Sequence, residues 1–219
     1  LNDDFAGTNI NTQEIDKEFP FLPRFWLWRL GAWFLYYIIA IPIVFFYSLF
    51  IGGYRVRNQR VLRKLRKTGY FMYINHTHFT DAFIPALISF PKRAFVITGP
   101  DAVSIKKIRG LVQMLGAIPI PTASVPAMNK FMQAVRQRAD AGYCVGIFPE
   151  AHIWPYCNFI RPYKSTSFRY PAMWGKPVVS VCVTYQKNKG LLKWVKHPRR
   201  TIYVLSLIHI SEPTRLLSI

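Results

Sequence analysis

Residues Leu30 to Gly53 form a run of 24 residues without a charge, LGAWFLYYIIAIPIVFFYSLFIGG. As a helix the run would span about 36 Å, enough to cross a hydrocarbon core of about 30 Å. A segment this apolar either lies in a bilayer or is wrapped on all sides by protein. Trp26, Trp28, Trp33, Tyr36 and Tyr37 crowd its first part. Aromatic rings gather in this way at a membrane interface, which favours the bilayer. Pro42 interrupts the run, so two geometries stay open: one spanning helix, or two shorter helices that enter and leave one leaflet.

The charge that follows sharpens this reading. Arg55, Arg57, Arg60, Arg63, Lys64, Arg66 and Lys67 put seven cations within thirteen positions. A solvated helix face can carry such a run. Directly after an apolar segment, it reads better as a polybasic collar on anionic lipid headgroups. It also puts the downstream domain on the cytoplasmic side, and a bacterial cell membrane is the expected location. The whole chain has 29 Lys and Arg against 10 Asp and Glu, a net charge of +19. That balance calls for an anionic partner: nucleic acid, a membrane surface or a phosphorylated substrate. Nucleic acid is set aside, because no zinc-finger, RNP or helix-turn-helix signature accompanies the charge.

With 51% hydrophobic and 16% aromatic residues, the chain has ample material for a core, and disorder is excluded. Its 219 residues allow one domain with a short appendage. Cys144, Cys157 and Cys182 have no paired spacing and fit free thiols in a reducing compartment.

The chain divides into four stretches. Residues 1–20 hold half of the acidic residues and read as a loosely ordered polar arm, without the order of a signal peptide. Residues 21–53 are the membrane segment. Residues 54–204 alternate short apolar strands with helices. Strands are expected over Tyr70–Ile74, Phe95–Ile97, Ala117–Pro121, Tyr143–Phe148, Val178–Val183 and Thr201–Val204. Helices are expected over Ile105–Leu115, ended by Gly116, and over Ala127–Ala141, with Phe131, Ala134, Val135 and Arg138 on one stripe. The predicted fold class is α/β, a mixed, mainly parallel sheet flanked by helices, with an N-terminal membrane-embedded helical segment. Residues 205–219, LSLIHISEPTRLLSI, show no period and resemble translated sequencing-adapter sequence. They are set apart as a non-native tail, with the natural C-terminus expected to be missing.

The candidate chemistry lies where the first of these strands ends. Asn75 closes the apolar run, and His76 and Asp81 follow five positions apart. A strand end that delivers a His and an Asp to a turn is a common way to build a site on an α/β fold. Histidine takes a proton near neutral pH, and a carboxylate on its other ring nitrogen fixes the tautomer. With no Ser or Cys beside the pair, the simplest chemistry is a general base acting on a substrate hydroxyl. The same residues would also serve merely to cap the next helix, with Thr80 or Asp81 as N-cap. His76 and His78 form a His-x-His pair, but no third ligand stands nearby, so no metal is assigned.

Three landmarks then fall in order: Asn75-His76 with Asp81, Phe148-Pro149-Glu150, and Pro177-Val178-Val179-Ser180-Val181. Together they resemble the glycerolipid acyltransferase family, the 1-acyl-sn-glycerol-3-phosphate acyltransferases in particular, over Arg55 to Val183. The resemblance implies transfer of a fatty acyl group from acyl-CoA or acyl carrier protein to a hydroxyl of a lysophospholipid, with membrane phospholipids as surroundings and no cofactor. His76 would be the general base, Asp81 its orienting partner, and Glu150 an acceptor-binding group. Asn75, Gly116, Pro149 and His152 are assigned to substrate binding with it. Two departures matter. The family pattern has Arg after a Gly-led strand, where Gly116 is followed by Ala-Ile-Pro-Ile-Pro. It continues Glu-Gly-Thr-Arg, where this chain has Glu150-Ala151-His152-Ile153. Arg161 and Lys164 are the expected substitutes, with Arg169 a further cation in reach. Lysophosphatidic acid is the acceptor the resemblance favours; the competing readings are a membrane-bound basic scaffold that keeps the fold without catalysis, and an acyltransferase acting on a different acceptor.

Overall fold

The computed structural model describes residues 14–23, 25–51, 53–105, 107–122, 124–157, 159, 161, 165–186 and 199–208. Lys164 and residues 209–219 therefore lie outside the described residues. Seven strands form one sheet: β1 (Arg55–Arg57), β2 (Tyr70–Ile74), β3 (Ala94–Thr98), β4 (Ala117–Pro119), β5 (Cys144–Ile147), β6 (Val178–Gln186) and β7 (Arg199–Ile208). The order across the sheet is β1-β7-β6-β2-β5-β3-β4. All neighbours are parallel except β6 and β7. The sheet is thus mixed and mainly parallel, as expected. β4, with its proline, sits at an edge, where a missing N–H costs least.

β2 occupies the middle and is buried at every position. Its side chains alternate between two cores. Phe71 and Tyr73 join Phe131, Ala134 and Val135 on the face covered by α5 (Val125–Asp140). Tyr70, Met72 and Ile74 join Ile84, Ile88, Leu62 and Leu65 on the other. Burial on both faces is why this strand reads as a continuous apolar run and not as an alternating one.

Several elements depart from the sequence reading. The helix expected from Ile105 starts only at Arg109 (α4, Arg109–Met114). The N-terminal arm is not loose throughout, because Ile15 and Phe19 are buried and Phe19 packs on Phe21. Burial of a few large side chains outweighs the polarity around them. β7 runs to Ile208, so strand backbone covers the first four residues of the stretch set apart as a tail.

The apolar run forms one helix, Trp26–Phe50, long and apolar enough to cross a membrane, and it is not broken at Pro42. It consists of α1 (Trp26–Phe34), a π-helical stretch Leu35–Ala40, α2 (Ile41–Phe46) and a second π stretch Tyr47–Ile51. Pro42 stands in the first turn of α2, and the preceding wide turn relieves the hydrogen bond that proline cannot donate. The π turns also slow the rotation of the helix face. Ala32, Tyr36 and Ser48 are all buried against the domain as a result.

Contacts occur near both ends of this helix. Gly31 approaches Met114 and Trp28 lies over Gly110. The Tyr36 hydroxyl accepts from Ala94 N at 2.9 Å, and Tyr37 donates to Pro91 O at 3.1 Å. At the far end Tyr54 N donates to Ser48 O at 2.9 Å. The remaining surface exposes Trp26, Trp33, Phe34, Ile43, Phe46 and Phe50.

α3 (Ile84–Ser89) crosses the sheet over Gly146 of β5. A Cβ at this position would stand 2.8 Å from Pro85 Cγ, so only glycine lets α3 approach so closely. Gly146→Ala is expected to lower stability by roughly 1–3 kcal/mol through overpacking, measurable in urea unfolding. It should also reduce turnover, because α3 continues directly from the turn that carries Asp81.

Candidate active site

Register brings the two motifs together. Tyr73 of β2 pairs with Ile147 of β5. Three positions beyond each lie His76 and Glu150, so both emerge at the same level on neighbouring strands. The backbone N–H of His76 reaches Glu150 Oε2 at 3.4 Å. Parallel strands end at one pole of the sheet, and ligand sites of open α/β sheets form there.

Asp81 is completely buried. Its Oδ2 accepts from Thr77 N at 2.7 Å, His78 N at 2.7 Å and Thr77 Oγ1 at 3.1 Å. His78 caps the 3-10 turn Phe79–Phe83, and its Nδ1 accepts from Thr80 N at 3.2 Å. The cap is thus His78, not Thr80 or Asp81. Asp81 serves the turn and also faces His76. His76 Nδ1 lies 3.7 Å from Asp81 Oδ2, and the His76 side chain is 13% exposed. Among the described residues Nδ1 has no hydrogen-bond partner. A movement of about 1 Å would complete the bond to Asp81, and such bonds often tighten when substrate binds. The imidazole stacks on Phe148 with ring centroids 4.3 Å apart, which fixes its plane.

A further group, Arg200 on β7, was not legible from spacing. β7 runs antiparallel to β6, with Arg200 opposite Tyr185, so its first residues arrive at the pole of His76. The Arg200 guanidinium is buried, 3.6 Å from Asp81 Oδ1. It donates to Thr80 Oγ1 and Tyr54 OH, both at 2.7 Å, and lies over the Tyr54 and Tyr185 rings. Tyr185 also hydrogen-bonds Thr77 Oγ1 at 2.7 Å. A buried carboxylate needs this density of donors and positive charge. Nothing local in the sequence joins positions 81 and 200; only strand pairing does.

The remaining candidates separate. Asn75 donates from Nδ2 to Val183 O at 3.0 Å and accepts at Oδ1 from Val183 N at 2.7 Å. Its amide prolongs the pairing of β2 with β6 and braces the His76 turn. Gly116 lies away from the site, at the start of β4 near the opposite pole. It has φ +109°, and a Cβ there would meet Ala94 O at 2.7 Å, so its role is the close turn into the edge strand. Pro149 and Glu150 form the turn after β5. Ala151, where the family pattern has glycine, takes φ 64°, a left-handed conformation that strains any Cβ-bearing residue. The chain then folds back, with Trp154 N donating to His76 O at 3.1 Å.

Arg161 is brought close and is 4% exposed. It donates from Nη1 to His152 O at 3.2 Å and lies 4.3 Å over the Trp154 ring. Burial pushes the Glu150 carboxyl above the ordinary glutamate range, opposed by the His76 N–H and the charge of Arg161. Among the described residues no cluster of three His, Cys, Asp or Glu is placed to hold a metal.

A model of the acyltransferase family matches residues 53–184, more than half of the chain. The chain belongs to the acyltransferase family. The family match spans both strand-end motifs of this acyltransferase and ends before β7, so Arg200 lies beyond it. Among solved structures, the chain is similar to PlsC, the 1-acyl-sn-glycerophosphate (LPA) acyltransferase of Thermotoga maritima. Identity is 14% and the TM-score 0.53, over 84% of this chain and 85% of the other; the likeness is one of fold. No curated protein sequence matches the chain.

The raised Glu150 pKa has a sign. Since the folded value lies above the unfolded one, the unfolded state loses this proton first as pH rises. Folding is therefore weakened progressively from the ordinary glutamate pKa upward through the raised value. Glu150→Gln is expected to be more stable than the parent near neutral pH and equal to it below the glutamate range. Thermal unfolding of both proteins across that range is the measurement.

Proposed function

We propose that this acyltransferase moves a fatty acyl group from a thioester, acyl-CoA or acyl carrier protein, to a hydroxyl of lysophosphatidic acid. The observation that carries this reading is the convergence of His76, Asp81 and Glu150 at one strand-end pole. His76 Nδ1 faces Asp81, which leaves Nε2 as the base. Nε2 removes the proton of the acceptor hydroxyl as its oxygen attacks the thioester carbonyl. The C–S bond then breaks, the ester forms, and the imidazolium returns its proton to the departing thiolate. Asp81, held by backbone N–H groups and Arg200, stabilises the imidazolium. The thioester is already activated, so no acyl-enzyme is required. This contrasts with the scaffold reading, which gives no reason for His76 and Asp81 to stand together.

Glu150 is assigned to the acceptor, with Arg161 supplying charge toward its phosphate and His152 a hydrogen bond. Lys164 is a second candidate for that charge. A carboxylate beside an anionic acceptor needs a cation between them, and the nearness of Arg161 to Glu150 supports this pairing. Membrane seating is supported by the exposed apolar surface of helix Trp26–Phe50. Because the helix touches the domain near both ends, burial in one leaflet alongside the domain fits better than a perpendicular span. The basic residues after the helix favour the cytoplasmic face of a bacterial-type cell membrane, and the pathway would be phospholipid biosynthesis.

His76→Ala is expected to lower acyl transfer by about 10²–10⁴-fold while membrane binding persists. Asp81→Asn should be severely impaired and His78→Ala far less so. Assay of the purified protein with acyl-CoA and a panel of lysophospholipids tests this; full activity of His76→Ala would sink it. Arg161→Ala is expected to raise acceptor KM about 10- to 150-fold, the loss of one charge-assisted contact, with donor KM unchanged. Steady-state kinetics with each substrate varied in turn gives the answer.

A further inference from the structure

A cleft of about 750 Å³ opens at the pole opposite His76. Its wall includes Tyr70 at the start of β2, Gly142 and Tyr143 before β5, and Lys92 and Arg93 before β3. From Tyr70 to Ile74, β2 alone separates it from the catalytic turn by about 13 Å. Arg60, Arg63 and Arg66 line it as well, and among the described residues no Asp or Glu lines it.

The three arginines are aligned by local geometry. They lie on or just after a 3-10 helix, Gln59–Leu65. Three residues per turn place positions i and i+3 in one row. Leu62 and Leu65 form a second row, which is buried in the core. Arg60, Arg63 and Arg66 therefore share a row that points along the cleft; in an α-helix they would fan apart. The helix is pinned at its start, with Gln59 donating to Ile88 O at 2.8 Å and Asn58 to Val204 O at 2.9 Å.

The floor is equally set. Lys92 Nζ donates to Thr68 O at 2.8 Å and to Gly142 O, and burial lowers its pKa. Arg93 is stacked 5.0 Å from both the Tyr36 and Phe95 rings and donates to Met114 O at 2.6 Å. Its Nε is buried with no hydrogen-bond partner among the described residues. Carbonyls and rings thus position these cations without neutralising them. The rim is apolar on one side, where Tyr37 of the long helix meets exposed Phe90. A ligand with an anionic head and an apolar body matches that combination.

We propose that this cleft binds the phosphate of an anionic membrane phospholipid, apart from the catalytic centre, with the acyl chains along the exposed face of helix Trp26–Phe50. The proposal rests on the membrane seating above and not on the acyl-transfer chemistry. The occupant is a lipid and not free phosphate, because the cleft adjoins the apolar helix.

The test is flotation of the full chain with vesicles of phosphatidylcholine, alone or mixed with phosphatidylglycerol. One variant replaces Arg60, Arg63 and Arg66 by Gln. A second replaces Arg57, Lys64 and Lys67, which belong to the same basic segment but do not line the cleft. Diffuse attraction gives each cation a similar share, so both variants would lose alike. A built site predicts that the first loses preference for the anionic vesicles by at least about tenfold more than the second. Equal losses, or no loss in the first, overturn the proposal. Release from the vesicles by inorganic phosphate at constant ionic strength would mark a soluble-phosphate site and also overturn it. Arg63→Gln alone repeats the comparison if the triple variant unfolds. Acyl transfer in detergent should be unchanged in the first variant, so a failed acyltransferase assay with retained vesicle selectivity would count against the catalytic reading alone.

Discussion

The buried carboxylate of Asp81 ties this structure together. An ionised carboxylate out of water is costly unless hydrogen bonds and charge surround it. Here the donors come from the turn after β2, through Thr77 and His78, and the positive charge comes from Arg200 of β7. Arg200 in turn holds Tyr54, which leads into β1. The turn that presents His76 is thus anchored to β7 and to the residue that leads into β1. The antiparallel pairing of β6 and β7 makes this possible, since a parallel β7 would have placed Arg200 at the other pole.

Strand register sets the rest of the site. β2 lies between β5 and β6, and each contributes to the turn above it. β5 delivers Glu150 to the level of His76, and β6 offers the Val183 backbone to the amide of Asn75. The segment after Glu150 returns across His76, using the left-handed backbone of Ala151 and the stacking of Arg161 on Trp154. Its Arg161 stands near Glu150 even though the chain lacks the arginines that the family pattern places at the motifs themselves.

Positive charge is distributed with the same economy. The helix Trp26–Phe50 touches the domain along one side, through Trp28, Tyr36, Tyr37 and Ser48, and exposes an apolar surface on the other. Cations collect beside that helix at the pole opposite the His76 turn, and their alignment depends on a 3-10 helix in place of an α-helix. A polybasic sequence alone has no shape; the eclipsed rows of this helix separate its leucines from its arginines.

The sequence by itself determined the strands that are buried on both faces, because continuous apolar runs bounded by turn residues have few other conformations. It also determined the apolar helix and the two strand-end motifs, whose residue types suit the proposed chemistry. Tertiary structure alone decided which of those residues meet. Asn75 and Gly116, grouped in the sequence reading, stand at opposite poles, where they brace strand pairing and a close turn, while Arg200 and Tyr54, which no motif marks, surround Asp81. It also decided that Ile15 and Phe19 are core and that Pro42 leaves the helix unbroken. Local pattern reports propensity and periodicity over a few residues. Contacts such as that of Arg200 with Asp81, more than a hundred positions apart, exist only once strand order and direction are set.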